Sequence, residues 1–184
     1  MEQLTDEYII TKAQNGHADS IGLLYERYKR NLFSFFYGNL GNKAMAEDLV
    51  QNTFIRVIKY SNNYSGKGSF KSWLFQIARN QMIDEIKKMK KHKAQDIDEK
   101  VDVITDYATA DASIIKEERS QLLKNALSKL SEEKRNLLTL VKIENKKFRE
   151  VAEIMNMKES TVKSKVFRAI KELQELYRPT LNMQ

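Results

Sequence analysis

The chain has 184 residues and carries 32 Lys and Arg against 25 Asp and Glu, a formal charge of +7. That balance favours a polyanionic partner. The absence of cysteine excludes disulfides, thiolate metal sites and a cysteine nucleophile.

The N-terminus MEQLTDEYII lacks the basic n-region and apolar run of a secretion signal, and no apolar stretch approaches the roughly 20 residues that span a bilayer. A cytoplasmic protein is expected. All six glycines lie at or before Gly68 and the sole proline is Pro179, so the second half permits long helices. No segment sustains strand-like alternation. The expected fold class is all-α, with two small helical domains joined by a flexible acidic linker, the second domain a helix-turn-helix.

Taken in order, Asp6 to Asn15 predict a short helix ending near Gly16. Ile21, Leu24, Tyr25, Tyr28, Leu32, Phe35 and Phe36 then form one apolar stripe, a core face rather than a base-stacking platform. Gly38 and Gly41 are expected to break that helix, and Asn42 to N-cap the next. The following helix, Lys43 to Lys59, buries Ala46, Leu49, Val50, Phe54 and Val57. Tyr60 to Ser69 is a loop rich in Asn, Ser and Gly. From Phe70 another helix buries Phe70, Trp73, Leu74, Ile77 and Ala78, then runs into a basic end at Lys87 to Lys93. Part of that run suits the helix dipole, and all of it suits phosphate.

Residues 94–112 change character: Asp96, Asp98, Glu99, Asp102, Asp106 and Asp111 stand against Lys100 alone, which predicts the acidic linker. The domains are therefore expected at 1–93 and 113–184. Beyond the linker, Ile114, Leu122, Leu123, Ala126, Leu127 and Leu130 are expected to share a helix face. Ser131 is a candidate N-cap for a helix that buries Leu137, Leu138 and Val141. Pro179 is expected beyond a helix already ended.

Phe148 to Leu176 organises the second half. A short helix offers Val151, Ala152 and Met155 to a core. Asn156-Met157-Lys158 makes a tight turn, Asn tolerating the left-handed conformation such a turn needs. A second helix from Glu159 buries Val162, Val166, Ala169, Ile170 and Leu173, and its other face carries Ser160, Thr161, Lys163, Ser164, Lys165 and Arg168. Such a helix can lie in the major groove. An ordinary helical hairpin with a solvated basic face has the same pattern.

Catalytic chemistry is missing. His17 and His92 are the only histidines, no metal-ligand spacing or Gly-rich phosphate loop is present, and no nucleophile–base pair is evident. Neither enzyme, metal nor cofactor is expected.

Four segments in sequence resemble bacterial RNA polymerase sigma factors of the extracytoplasmic-function (ECF) group: AEDLVQNTFIRV (46–57), GSFKSWLFQIARNQMIDEIKK (68–88), ALSKLSEEKRNLLTL (126–140) and STVKSKVFRAIKEL (160–173). The resemblance implies a first domain that docks on the polymerase clamp helices through Asp48, Gln51, Phe54 and Arg56. It implies that Tyr64, Ser65, Gly66, Asn80, Lys87 and Lys88 open the minus-ten element and capture an unpaired base. It further implies a second domain that docks on the flap and reads the minus-thirty-five duplex with Ser160, Thr161, Lys163, Ser164, Phe167 and Arg168. Core polymerase, promoter DNA and an inhibitory anti-sigma factor are the implied partners. Asn52 departs from the family's usual Glu, and Asp84 puts a carboxylate near an edge expected to face DNA. The competing reading is a stand-alone helix-turn-helix regulator that binds DNA without polymerase.

Overall fold

The computed structural model describes residues 4–95 and 114–181, with side chains over 4–91 and 122–177. Eight α-helices form two bundles, and no strand occurs among the described residues. In the first bundle, α2 (Ile21–Leu40) and α3 (Lys43–Tyr60) make an antiparallel hairpin. Gly41 closes α2 in the left-handed region at φ 68°, where a side chain is strained, and Asn42 caps α3 by accepting from the Met45 amide at 3.0 Å. Helix α4 (Phe70–Gln95) lies across the hairpin. Tyr25 meets Phe54 edge to face at 5.1 Å, and Phe35, Phe36, Phe70 and Phe75 are fully buried. Helix α1 (Asp6–Gln14) is held to α2 by Asp6, whose carboxylate accepts from Arg27 and from the Tyr28 hydroxyl. Burial, then that carboxylate, push the Tyr28 phenol well above its ordinary range.

The second bundle contains α5 (Ile114–Lys129), α6 (Glu132–Leu138), α7 (Phe148–Met155) and α8 (Glu159–Leu181). A π-helical turn, Thr139–Ile143, follows α6. Helix α8 packs on α5, α6 and α7. Asn156 adopts φ 52°, and the Met157 amide donates to the Ala152 carbonyl at 2.9 Å, so the helix-turn-helix forms where its residues predict it.

Several expectations need correction. Gly38 lies inside α2 rather than ending it. A Cβ there would stand 3.2 Å from Ile143 Cδ1 and 3.3 Å from Thr139 Cγ2, so this glycine serves close approach of the second bundle. Leu123 is exposed, because it falls off the 122/126/130 stripe that α8 covers. Ser131 has the extended backbone of an N-cap but makes no side-chain cap bond. Trp73, Ile77 and Val141 are only half-buried. The α8 backbone stays helical through Pro179 to Leu181, so the proline lies inside the last turn rather than beyond the helix. Of the expected linker at 94–112, Ala94 and Gln95 close α4, and the rest lies outside the described residues.

The two bundles pack together through α4 on α7, and through α2 on α6 and the π turn. Arg135 donates to the Asn39 carbonyl at 2.9 Å, Gln76 to the Glu153 carbonyl at 2.8 Å, and Asn31 to the Glu144 carboxylate at 3.1 Å. Lys90 pairs with Glu132. Gly38→Leu should favour helix α2 by up to about 1 kcal/mol of propensity, yet wedge the π turn away. The expected result is unchanged helical content by circular dichroism with a larger radius of gyration by small-angle scattering.

Candidate polymerase and promoter interfaces

Helix α3 turns one stripe of side chains to solvent. Asp48 and Gln51 lie on it and are exposed, Arg56 sits at its edge, and Phe54 points the other way into the core at 5% exposure. The same stripe carries Ile55 and Ile58, which are 61% and 51% exposed. Neither is among the residues that the resemblance singles out. Their signal was present: two β-branched residues on a helix, outside the buried period of Ala46, Val50, Phe54 and Val57. Asp84 answers to Arg56 at 3.8 Å across α3 and α4, so its carboxylate has a cationic neighbour within its own domain.

The loop between α3 and α4 is tied down from outside. Gln14 donates to the Ser61 and Tyr64 carbonyls, each at 2.9 Å. The Tyr64 hydroxyl donates to the Gly68 carbonyl at 3.0 Å, and Gly66 and Gly68 take φ of 73° and 85°. Tyr64 is therefore not an open stacking face. Its ring is buried against Phe70 and Trp73, with centroids 6.0 and 5.4 Å away, and burial pushes its phenol upward. Ser65, Gly66, Asn80, Lys87 and Lys88 are exposed. At the helical period Trp73, Asn80 and Lys87 share one stripe of α4, with about 10 Å between successive members. Half-buried Trp73 is the aromatic nearest that surface.

Helix α7 covers the foot of this region. Glu150 lies 3.8 Å from Lys71, and Gly68, Ser69, Lys147, Arg149, Glu150 and Glu153 line one groove. The polar and basic face of α8 is turned to solvent. Ser160, Lys163, Ser164, Phe167 and Arg168 are exposed on α8, Thr161 is partly so, and Phe167 reaches 71%. Lys163 reaches back to Glu159 at 2.7 Å, and Ser164 donates to the Ser160 carbonyl at 3.0 Å. Val162, Val166 and Ala169 anchor the opposite side. The three residue sets thus occupy three separate surfaces. None forms a cluster of three or more potential metal ligands among the described residues, and no described helix is long and apolar enough to cross a membrane.

Comparison with known proteins gives these surfaces a context. Sigma-70 region 2 matches residues 24–92, and Sigma-70, region 4 matches residues 120–173. The ECF RNA polymerase sigma factor SigM of Bacillus subtilis is 31% identical over 163 residues, spanning 89% of this chain and 98% of the relative. The ECF RNA polymerase sigma factor BldN of Streptomyces coelicolor is 28% identical over 91% of this chain, which spans 64% of that longer protein. Among solved structures, the sigma factor RpoE of Bartonella quintana, crystallised with the anti-sigma factor NepR, superposes with a TM-score of 0.67. It is 27% identical, with 85% of this chain and 93% of that one covered. With both sigma regions in order and a relative matched nearly end to end, the chain belongs to the ECF RNA polymerase sigma factors.

Proposed function

We propose that this chain binds core RNA polymerase in the cytoplasm and directs it to promoters, reading an upstream element as duplex and a downstream element as opened strand. The observation that carries this is the separation of the surfaces. An apolar and acidic stripe on α3, an amide-bearing stripe on α4 and a polar–basic groove helix on α8 each face outward from its own packed bundle. The α3 stripe, with Asp48, Gln51, Arg56, Ile55 and Ile58, docks on the clamp. Phe54 holds that stripe in place from beneath. The exposed loop residues Ser65 and Gly66, with Asn80 and the half-buried Trp73, receive the unpaired base, and Tyr64 is the wall that shapes the loop. Lys87 and Lys88 neutralise nearby phosphates. Helix α8 enters the major groove. The Bartonella quintana relative, crystallised with an anti-sigma factor, supports an inhibitory protein of that kind as a further partner.

Base capture needs contacts available only to the open strand, because unstacking costs a few kcal/mol. Asn80 offers a donor and an acceptor at an exposed position. Asn80→Ala should leave folding and polymerase binding intact and reduce permanganate reactivity in the minus-ten element, with a pre-opened promoter restoring much of the loss. Wild-type opening rates would remove Asn80 from the pocket. Tyr64→Ala is a different experiment: it deletes a buried aromatic and should destabilise the domain by about 3–5 kcal/mol.

The upstream contacts should divide by role. Lys163→Ala is expected to alter which minus-thirty-five sequences are preferred, by roughly 1–3 kcal/mol for a good base contact. Arg168→Ala should weaken all promoters alike and reduce the salt slope by about one. Both are read by titrating reconstituted holoenzyme on promoter variants at several salt concentrations. A uniform loss for Lys163→Ala would assign it to phosphate. Activity without core polymerase would instead favour a stand-alone regulator.

A further inference from the structure

Lys146 crosses from one bundle to the other. It follows the π turn, its amide donates to the Leu140 carbonyl at 3.0 Å, and Asn145 before it takes φ 49° to turn the chain inward. Its side chain enters the interface, where Nζ sits 3.5 Å from the centroid of the Phe75 ring on α4. The residue is 4% exposed and its Nζ has no hydrogen-bond partner. An ammonium carries three donors and is strongly hydrated, so an ammonium buried without acceptors is costly, and the Phe75 face, which attracts a cation, offsets only part of that cost. A neutral amine on an aromatic face costs far less. The charged groups around it come from three elements: Lys71 on α4 opposes a second cation, whereas Glu150 on α7 and Glu144 after the π turn favour one. Glu144 is engaged with Asn31 of α2.

We propose that Lys146 is a proton-operated latch between the two bundles: as a neutral amine it seats on Phe75 and permits closure, and on taking a proton from solvent it withdraws to water and the bundles part.

Burial, reinforced by Lys71, pushes the Lys146 amine from its ordinary 10.5 down to about 7 in the closed form. The sign follows from linkage. The closed form binds fewer protons, so the penalty on closure is absent above the open-state value, grows as pH falls from 10.5, and is complete below about 7. Within that window the closing constant should fall about tenfold per pH unit. Glu144 works in the opposite direction, burial pushing its carboxyl upward.

The lack of cysteine allows clean labelling: Ala44→Cys on α3 and Glu175→Cys on α8 place one dye on each bundle of the full chain. Energy transfer in the wild-type background should decline between pH 10 and pH 7 and then level off. Lys146→Met should keep transfer high across the range, and Lys146→Arg, which stays charged, should keep it low. Should a variant fail to fold, the Lys146 Cε resonance of the unsubstituted chain reports directly, moving below 10.5 and with the same midpoint as the fall in energy transfer. Flat wild-type transfer, a Lys146 resonance that moves only near 10.5, or a closed Arg variant beside an open Met variant would overturn the proposal, the last by showing a simple cation–π clasp. The readout contains neither polymerase nor DNA, so it stands or fails apart from the proposed function; only its consequence for promoter engagement rests on that reading.

Discussion

Helix α4 has to be buried on more sides than a two-layer bundle supplies, and that constraint sets the architecture. Phe70, Leu74, Phe75, Ala78 and Met82 are completely enclosed. The hairpin of α2 and α3 covers part of this surface, α1 closes one end, and α7 of the second bundle lies along another flank. Phe75 is the residue where these demands meet. Its ring packs edge to face on Phe35 at 5.6 Å in its own bundle and receives Lys146 from the other. Loss of shape at that one ring would be felt in the core and in the contact between bundles together.

A compact chain of this length has a radius of gyration of about 16 Å, so the closed arrangement keeps the proposed upstream and downstream DNA faces on one small body. Closure is also unequal in what it hides. The polar and basic face of α8 stays accessible, while α7 lies across the start of α4 and sets Glu150 beside Lys71. A carboxylate against a lysine that could otherwise meet phosphate is a modest contact at the surface, and it leaves little to overcome when DNA or polymerase competes.

Much of this was legible in the sequence because helices declare themselves locally. The apolar stripe of α2, the Asn42 cap and the Asn156 turn each depend on neighbours within a few residues, and they stand where the pattern predicts. The misreadings share a different cause. Gly38 looked like a breaker because its reason for being glycine, the π turn, lies a hundred residues away in the chain. Lys146 sits in a polar stretch, Glu144 to Lys147, that reads as solvated loop until the other bundle arrives to bury it. The resemblance places Tyr64 at the captured base, but Phe70 and Trp73, which enclose its ring, make it a packed residue instead. Local pattern does not report which bundle surfaces meet, so residues serving that contact were unreadable while the helix-turn-helix was plain.

The division of labour on α8 has an evolutionary consequence. Val162, Val166 and Ala169 hold the helix to its bundle, while Ser160, Lys163, Ser164, Phe167 and Arg168 point outward and contribute little to that core. Surface substitutions of this sort usually change stability by no more than about 0.5 kcal/mol. With α8 as the proposed reader of the upstream element, promoter preference can therefore drift through viable intermediates, each folded as well as its parent, which is the condition under which duplicated copies of such a gene acquire separate sets of targets.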